Sequence, residues 1–114
     1  VKLMLPLKGN ENHVNMMYAG SLFSLAELPG GAVFLSQFDT QKYYPIVAEV
    51  TIKYLKPALT DVTLEASLSD SEVKRIQSEL EECGKSYYEM ELEIKDANDV
   101  IVAAAKGRYQ ARSF

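Results

Sequence analysis

Residues 19–35 read AGSLFSLAELPGGAVFL, and this stretch decides the fold. It predicts a helix over about residues 19–38 with small or hydrophobic residues on every face. A helix that is apolar all round is buried on all sides. Glu27 is the only charged residue between Asn12 and Phe38. Because an unpaired buried carboxylate is costly, Glu27 is the first candidate for a functional residue.

The overall composition limits the classes of protein to which the chain can belong. Its 114 residues predict a single domain, residues 1–114, with a net charge of −4. The sequence has no cluster of Lys and Arg of the kind that binds nucleic acid. The apolar stretch is broken by Pro29 and is too short to suggest a membrane span. The single cysteine, Cys83, excludes an internal disulfide and suits the cytoplasm. Because Val1 opens inside a strand-like segment, we expect residues to be missing upstream.

Alternating apolar and polar residues predict about five strands and a second helix. The predicted strands are Val1–Leu7, Ile46–Lys56 with Ile46, Ala48, Val50, Ile52 and Tyr54 inward, Asp61–Ser69, a segment with Tyr88, Met90, Leu92 and Ile94 inward, and Val100–Arg112. Ser69–Glu72 has the form of a capping box, and the amphipathic helix that follows ends at Gly84. The run VIVAAA in the last strand indicates burial on both faces, hence a central position.

Together these elements predict an α+β fold in which an antiparallel sheet of about five strands wraps around one long helix. One small sheet cannot enclose a helix that is apolar on every face, and the uncovered side would be a large hydrophobic patch. We therefore expect a second copy of the chain to cover that side, in a homodimer or a tetramer.

The segment NHVNMMYAGSLFSLAE, residues 12–27, resembles the signature of hotdog-fold acyl-CoA thioesterases of the phenylacetic-acid-degradation type. It is also similar to a branch of that superfamily whose tract reads much like MYAGSLFSLAE. Residues 52–58, IKYLKPA, resemble the family's second strand and its proline stop. The resemblance implies a hotdog domain that hydrolyses an acyl thioester of the CoA type. We also expect no metal, no organic cofactor, no nucleic-acid partner and no membrane partner.

The resemblance further assigns roles to individual residues. Glu27 falls at the catalytic carboxylate, which acts as general base on water or as nucleophile. Ala19 falls where a backbone N–H polarises the thioester carbonyl, and Asn12 falls where a side-chain amide contacts the thioester or the attacking water. The implied substrate-binding residues are Asn15, Tyr18 and Gly20. Tyr18 replaces the family's histidine, and Asn15 and Ala19 replace glycines.

Helix geometry connects the implied chemistry to the predicted dimer. The amides at a helix N-terminus are unpaired and can stabilise an oxyanion. Ala19 and Glu27 are eight residues apart, roughly 12 Å along a helix, which is too far for both to touch one reacting carbon. Two antiparallel helices across a dimer axis would set Ala19 of one subunit opposite Glu27 of the other.

Other interpretations stay open on the sequence alone. Glu27 could be a structural acid bonded to a tyrosine or to backbone, and Asn12 and Asn15 could be turn or cap residues. A hotdog dehydratase or hydratase would need a histidine–carboxylate pair, for which His13 is the only histidine. A non-catalytic acyl-binding module would need no such pair. The sequence also leaves open whether CoA or a carrier protein bears the acyl group.

Overall fold

The computed structural model describes residues 1–114 and contains five strands and two helices. In chain order these are β1 (Lys2–Leu5), α1 (Ala19–Gln37), β2 (Tyr43–Tyr54), β3 (Val62–Glu65), α2 (Asp70–Cys83), β4 (Lys85–Lys95) and β5 (Ile101–Ser113). The strands form one antiparallel sheet in the order β1-β3-β4-β5-β2. Helix α1 packs against this sheet, mainly on β2 and β5. The predicted α+β hotdog architecture is confirmed.

Two of the three interior strands, β4 and β5, show the predicted patterns clearly. In β4 the residues alternate strictly. Tyr88, Met90 and Ile94 are buried, and the glutamates between them are exposed. Strand β5 pairs with β4 on one side and with β2 on the other. Its residues Val102 and Ala103 are both buried although they point to opposite faces. The prediction of an interior position for this strand is confirmed.

Helix α2 begins and ends where the sequence predicts. The Ser69 hydroxyl accepts a hydrogen bond from the Glu72 amide at 3.2 Å, which caps the first turn. Gly84, with φ of 73°, adopts the left-handed conformation that ends the helix. Only half of a capping box forms, because the Glu72 carboxylate pairs with Arg75 instead of returning to the Ser69 amide.

Helix α1 runs without a break through Pro29, but the prediction that it is buried on all sides is wrong for a single subunit. Its sheet-facing side is buried, at Leu22, Leu25, Ala26, Pro29, Gly30, Val33 and Phe34. Its outer side exposes Phe23, Leu28 and Leu35, because the sheet covers one side of the helix only. By length and composition alone α1 could cross a membrane. In the fold its buried residues belong to the single hydrophobic core.

Strand β2 departs from the predicted burial. Ile46, Ala48 and Tyr54 were expected to face inward, yet all three are exposed. The reason is position, since β2 is an edge strand with no neighbour beyond it. A register shift between Val47 and Glu49 also leaves Ala48 without a partner on β5. Such bulges are common at sheet edges.

Candidate functional site

A cleft of about 320 Å³ opens at the N-terminus of α1. Its lining comes from the loop before α1, from the first turn of α1 and from residues 54–58 at the end of β2. Two of the predicted site residues, Asn12 and Ala19, lie together in this cleft. Most of the remaining lining is hydrophobic, so the cleft combines an apolar wall with a few polar groups, as small-molecule sites usually do.

Hydrogen bonds from three directions fix the start of α1. The Met17 amide donates to the Ala58 carbonyl at 2.8 Å, and the Tyr18 amide donates to the Asn10 carbonyl at 2.7 Å. The Tyr54 hydroxyl donates to the Ala19 carbonyl at 3.0 Å. These bonds tie the helix to the preceding loop and to the end of β2, so the first turn is held in place before any ligand arrives.

The first two amides of α1 are free. Ala19 and Gly20 donate no hydrogen bond within the chain, and the side chain of Tyr18, the residue before the helix, does not cap it. No acidic residue occupies the first turn. The N-terminus therefore keeps its positive partial charge. Ala19 lines the cleft, and its N–H has no partner within the chain.

The oxygen and the nitrogen of the Asn12 side chain have different hydrogen bonding. The side-chain oxygen accepts hydrogen bonds from the amides of Val14 and Met16, at 2.9 and 3.0 Å. The turn interpretation of Asn12 is therefore confirmed for this oxygen. The side-chain nitrogen donates no hydrogen bond within the chain, and Asn12 lines the cleft.

The three predicted substrate-binding residues do not line the cleft. Asn15 is exposed on the loop and has φ of 61°, a left-handed conformation that Asn tolerates better than most residues. This explains why Asn can stand where the resemblance implies Gly. Tyr18 is exposed, and its ring covers Gly20 so closely that a β-carbon there would lie 2.5 Å from a ring carbon.

Glu27 lies two turns further along α1 and does not line the cleft. It is half-buried in the single subunit, so the expectation of full burial is wrong at this level, because the outer side of α1 is open. Its carboxylate makes no hydrogen bond and no ion pair with any residue of the chain. The structure thus shows neither the tyrosine bond nor the backbone bond that a purely structural acid would need.

Tyr109 on β5 is a polar group near this position that the sequence did not reveal. Burial raises the pKa of its hydroxyl, and the negative charge of Glu27 raises it further. The Gly30 backbone amide lowers this pKa and so acts in the opposite direction. The only signal in the sequence is the alternation of β5, which places Tyr109 inward without indicating what it meets. The approach between Tyr109 and α1 depends on the fold.

The remaining candidates for chemistry stand apart. His13 is exposed on the loop and makes no hydrogen bond or ion pair with a carboxylate. Nowhere in the chain do three or more His, Cys, Asp or Glu side chains lie close enough to hold a metal ion together. The α1 amides, Asn12 and Glu27 remain the candidates for chemistry.

The chain matches a known protein family and several solved structures. The family model of DUF4442, described as a domain of unknown function, matches residues 4–110. A crystal structure from Pseudomonas aeruginosa, of a protein of unknown function described as a probable thioesterase, has a TM-score of 0.95 and 46% identity. The match covers 100% of this chain and 76% of that one. No curated protein matches the chain significantly.

More distant structures share the fold. A Bacillus halodurans protein, whose crystal structure is with CoA, has a TM-score of 0.75 and 20% identity over 96% of this chain and 66% of that one. A thioesterase from Haemophilus influenzae has a TM-score of 0.71 and 11% identity over 98% of this chain and 71% of that one. The chain therefore belongs to the DUF4442 family, within the hotdog-fold thioesterase superfamily.

Proposed function

We propose that this protein hydrolyses an acyl thioester, with Glu27 as general base and the Ala19 amide as oxyanion donor. The observation that carries the proposal is the unpaired, half-buried carboxylate of Glu27 on an otherwise uncharged helix. The free amides at the start of α1 supply the second group that the reaction needs. The Pseudomonas aeruginosa relative, described as a probable thioesterase at 46% identity, supports this class of reaction.

The proposed reaction adds water across the thioester and releases an acid and a thiol. Glu27 takes a proton from water while the water oxygen bonds to the carbonyl carbon. The carbonyl π electrons move to oxygen, where the Ala19 N–H stabilises the negative charge. The charge then returns to re-form the carbonyl, the carbon–sulfur bond breaks, and the proton on Glu27 passes to the departing sulfur. Asn12 would hold the water or the thioester through its free side-chain N–H groups.

The proposal requires a homodimer. Ala19 and Glu27 of one subunit are separated by roughly 12 Å of helix, so one active centre draws them from two subunits. The outer side of α1 exposes Phe23, Leu28 and Leu35, next to the half-buried Glu27. Burying these side chains against a partner supplies hydrophobic stabilisation and would complete the burial of Glu27. A tetramer built from such dimers is compatible with the same contact.

We further propose CoA as the carrier of the acyl group and the cytoplasm as the location. The Bacillus halodurans relative was crystallised with CoA. In this chain Lys56 is an exposed cation that lines the cleft and forms no ion pair, so it can meet a phosphate. The exposed free thiol of Cys83 suits a reducing compartment. An acyl-carrier protein is the alternative carrier.

Thiol release from a panel of acyl-CoA thioesters tests the proposal. Glu27→Gln should lower kcat by about a hundredfold or more, since a positioned acid–base group typically supplies ~10²–10⁴. The control is Glu82→Gln, which changes an exposed α2 glutamate without an ion pair and should retain wild-type turnover. Wild-type rates in Glu27→Gln would remove the catalytic assignment.

The same assay separates the two rival functions. A dehydratase or hydratase would lose its activity in His13→Ala, whereas the thioesterase should keep its turnover because His13 contacts no carboxylate. A non-catalytic acyl-binding module would bind acyl-CoA in both the wild type and Glu27→Gln and release no thiol from any thioester.

A further inference from the structure

Tyr109 carries a hydroxyl that the fold does not use. The side chain is 2% exposed, and its ring lies between Gly30 of α1 and Gly107 of β5, where neither glycine leaves room for a β-carbon. The buried hydroxyl oxygen forms no hydrogen bond of good geometry in the chain, although the Gly30 backbone amide acts on it as a donor, and its proton has no acceptor. A buried hydroxyl without a partner is destabilising, and a phenylalanine would fill the same space without that cost. Packing alone therefore does not explain why residue 109 carries a hydroxyl.

The neighbouring Tyr88 provides a contrast within the same cluster. The two rings stack at 5.2 Å between centroids, and both lie beneath α1. The Tyr88 hydroxyl donates to the Gly30 carbonyl at 3.0 Å, so it is fully engaged in holding α1 to the sheet. Of two stacked tyrosines under the same turn of the helix, only Tyr109 keeps its hydroxyl free.

A carboxylate without a partner lies one helical turn before the glycine that the Tyr109 ring contacts. Glu27 precedes Gly30 by one turn, and residues three apart are neighbours on a helix surface. The negative charge of Glu27 adds to the effect of burial in raising the pKa of the Tyr109 phenol. The Tyr109 hydroxyl thus has a proton that no residue accepts, and the Glu27 carboxylate accepts from no donor in the chain.

We propose that Tyr109 is a positioning residue whose hydroxyl donates a hydrogen bond to the Glu27 carboxylate and fixes its orientation for proton transfer. No hydrogen bond or ion pair within the subunit holds the Glu27 side chain in another orientation. The inference rests on the proposed hydrolysis, because it gives Tyr109 its role through Glu27. It also explains why the fold keeps a tyrosine, with two glycines around it, in place of a phenylalanine.

The first test is Tyr109→Phe in the thioesterase assay. We expect kcat to fall about tenfold or more, the size expected for one hydrogen bond to a charged group, with KM changed less than about twofold. A hydrogen bond to the ionised form lowers the pKa of a carboxylate. Its loss should therefore move the acid limb of the pH–rate profile to higher pH. Wild-type kcat and an unmoved acid limb would overturn the proposal.

The matched control is Tyr88→Phe, which removes a hydroxyl from the same stack. It should lower thermal stability, because the Gly30 carbonyl loses its donor, and leave the pH–rate profile unchanged. Tyr109→Phe should show the reverse, with unchanged or higher thermal stability and an altered profile. Equal changes of the profile in both variants would mean that disturbed packing, and not the Tyr109 hydroxyl, affects Glu27.

A second measurement does not depend on turnover. In NMR spectra of protein with ring-labelled tyrosine, the Tyr109 signal should shift as pH passes through the titration range of Glu27. The shift should disappear in Glu27→Gln. If the wild type hydrolyses no thioester but this coupling is present, the proposed function fails while the contact between the two residues stands. If the Tyr109 signal does not respond to Glu27, the inference fails whatever the activity.

Discussion

The ring of Tyr109 lies directly beneath Gly30, so close that a β-carbon at position 30 would overlap its carbon atoms. Helix α1 can approach β5 at this point only because residue 30 has no side chain. The adjacent Gly31 is different, since a β-carbon there would have nothing within 4 Å in the subunit. Two consecutive glycines thus have different roles, one in packing against the sheet and one on the outer side of the helix.

Gly30→Ala should destabilise the protein by about 1–3 kcal/mol, the usual cost of forcing extra volume into a packed core. Gly31→Ala is the matched control, because it makes the same chemical change in the same helix. In the subunit it should be neutral or stabilising by about 0.5–1 kcal/mol, as expected when alanine replaces glycine inside a helix. Chemical denaturation of both variants measures the difference. Equal free energies of unfolding would contradict the close contact between Gly30 and Tyr109.

The elements that depend on local sequence are those that could be predicted. Strand β4 follows from its alternation, and α2 follows from Ser69 at one end and Gly84 at the other. The exposure of Ile46 could not be predicted, because nothing in the local pattern of β2 tells an edge strand from an inner one. Edge position is set by the order of pairing across the whole sheet.

In the candidate site, too, the local sequence predicts some of the residues and not others. Ala19 and Asn12 are close in the chain, and their proximity in the cleft follows from the resemblance of one continuous segment. Tyr109 meets α1 through a contact between residues almost eighty positions apart. Neither alternation nor a motif encodes such a contact. The half-buried state of Glu27 was also beyond reach, because a pattern of apolar residues does not say which side of the helix the chain's own sheet covers.

The stacked tyrosines predict a loss of stability at high pH. Burial raises the pKa of both Tyr88 and Tyr109 above the ordinary tyrosine value of 10.0. The unfolded chain releases these protons at about pH 10, whereas the folded protein holds them longer. Their contribution to stability is complete below that pH and is lost as the pH rises through the folded-state pKa.

We therefore expect the free energy of unfolding to fall as the pH rises above about 10. Tyr88→Phe should make this fall shallower, because one of the two buried phenols is gone. Tyr87→Phe is the control, since Tyr87 is exposed on the neighbouring position of β4, and it should leave the slope as in the wild type. Denaturant titrations at a series of alkaline pH values give these slopes. An identical slope in Tyr88→Phe would contradict the assigned cause.

Ala19→Pro should remove the proposed oxyanion donor without breaking α1. Ala19 is the first residue of the helix, a position where proline is favoured because the amide there has no partner in the helix. Tyr18 already has the extended conformation, with φ of −63° and ψ of 136°, that a residue before proline adopts. We expect kcat to fall by ~10²–10³, as for other losses of one oxyanion donor, while the circular dichroism spectrum is unchanged. Wild-type turnover in this variant would exclude the Ala19 amide from the reaction.

Mixing two inactive variants tests whether each active centre draws on both subunits. If Ala19 of one subunit works with Glu27 of the other, a mixed dimer of Ala19→Pro and Glu27→Gln has one centre carrying both defects and one carrying neither. Refolding the two variants together in equal amounts makes about half of the dimers mixed, so about a quarter of wild-type turnover should return. Each variant refolded alone should remain inactive and serves as the control. If both residues of a centre came from the same subunit, every centre in the mixture would keep one defect, and the mixture would be no more active than its parents.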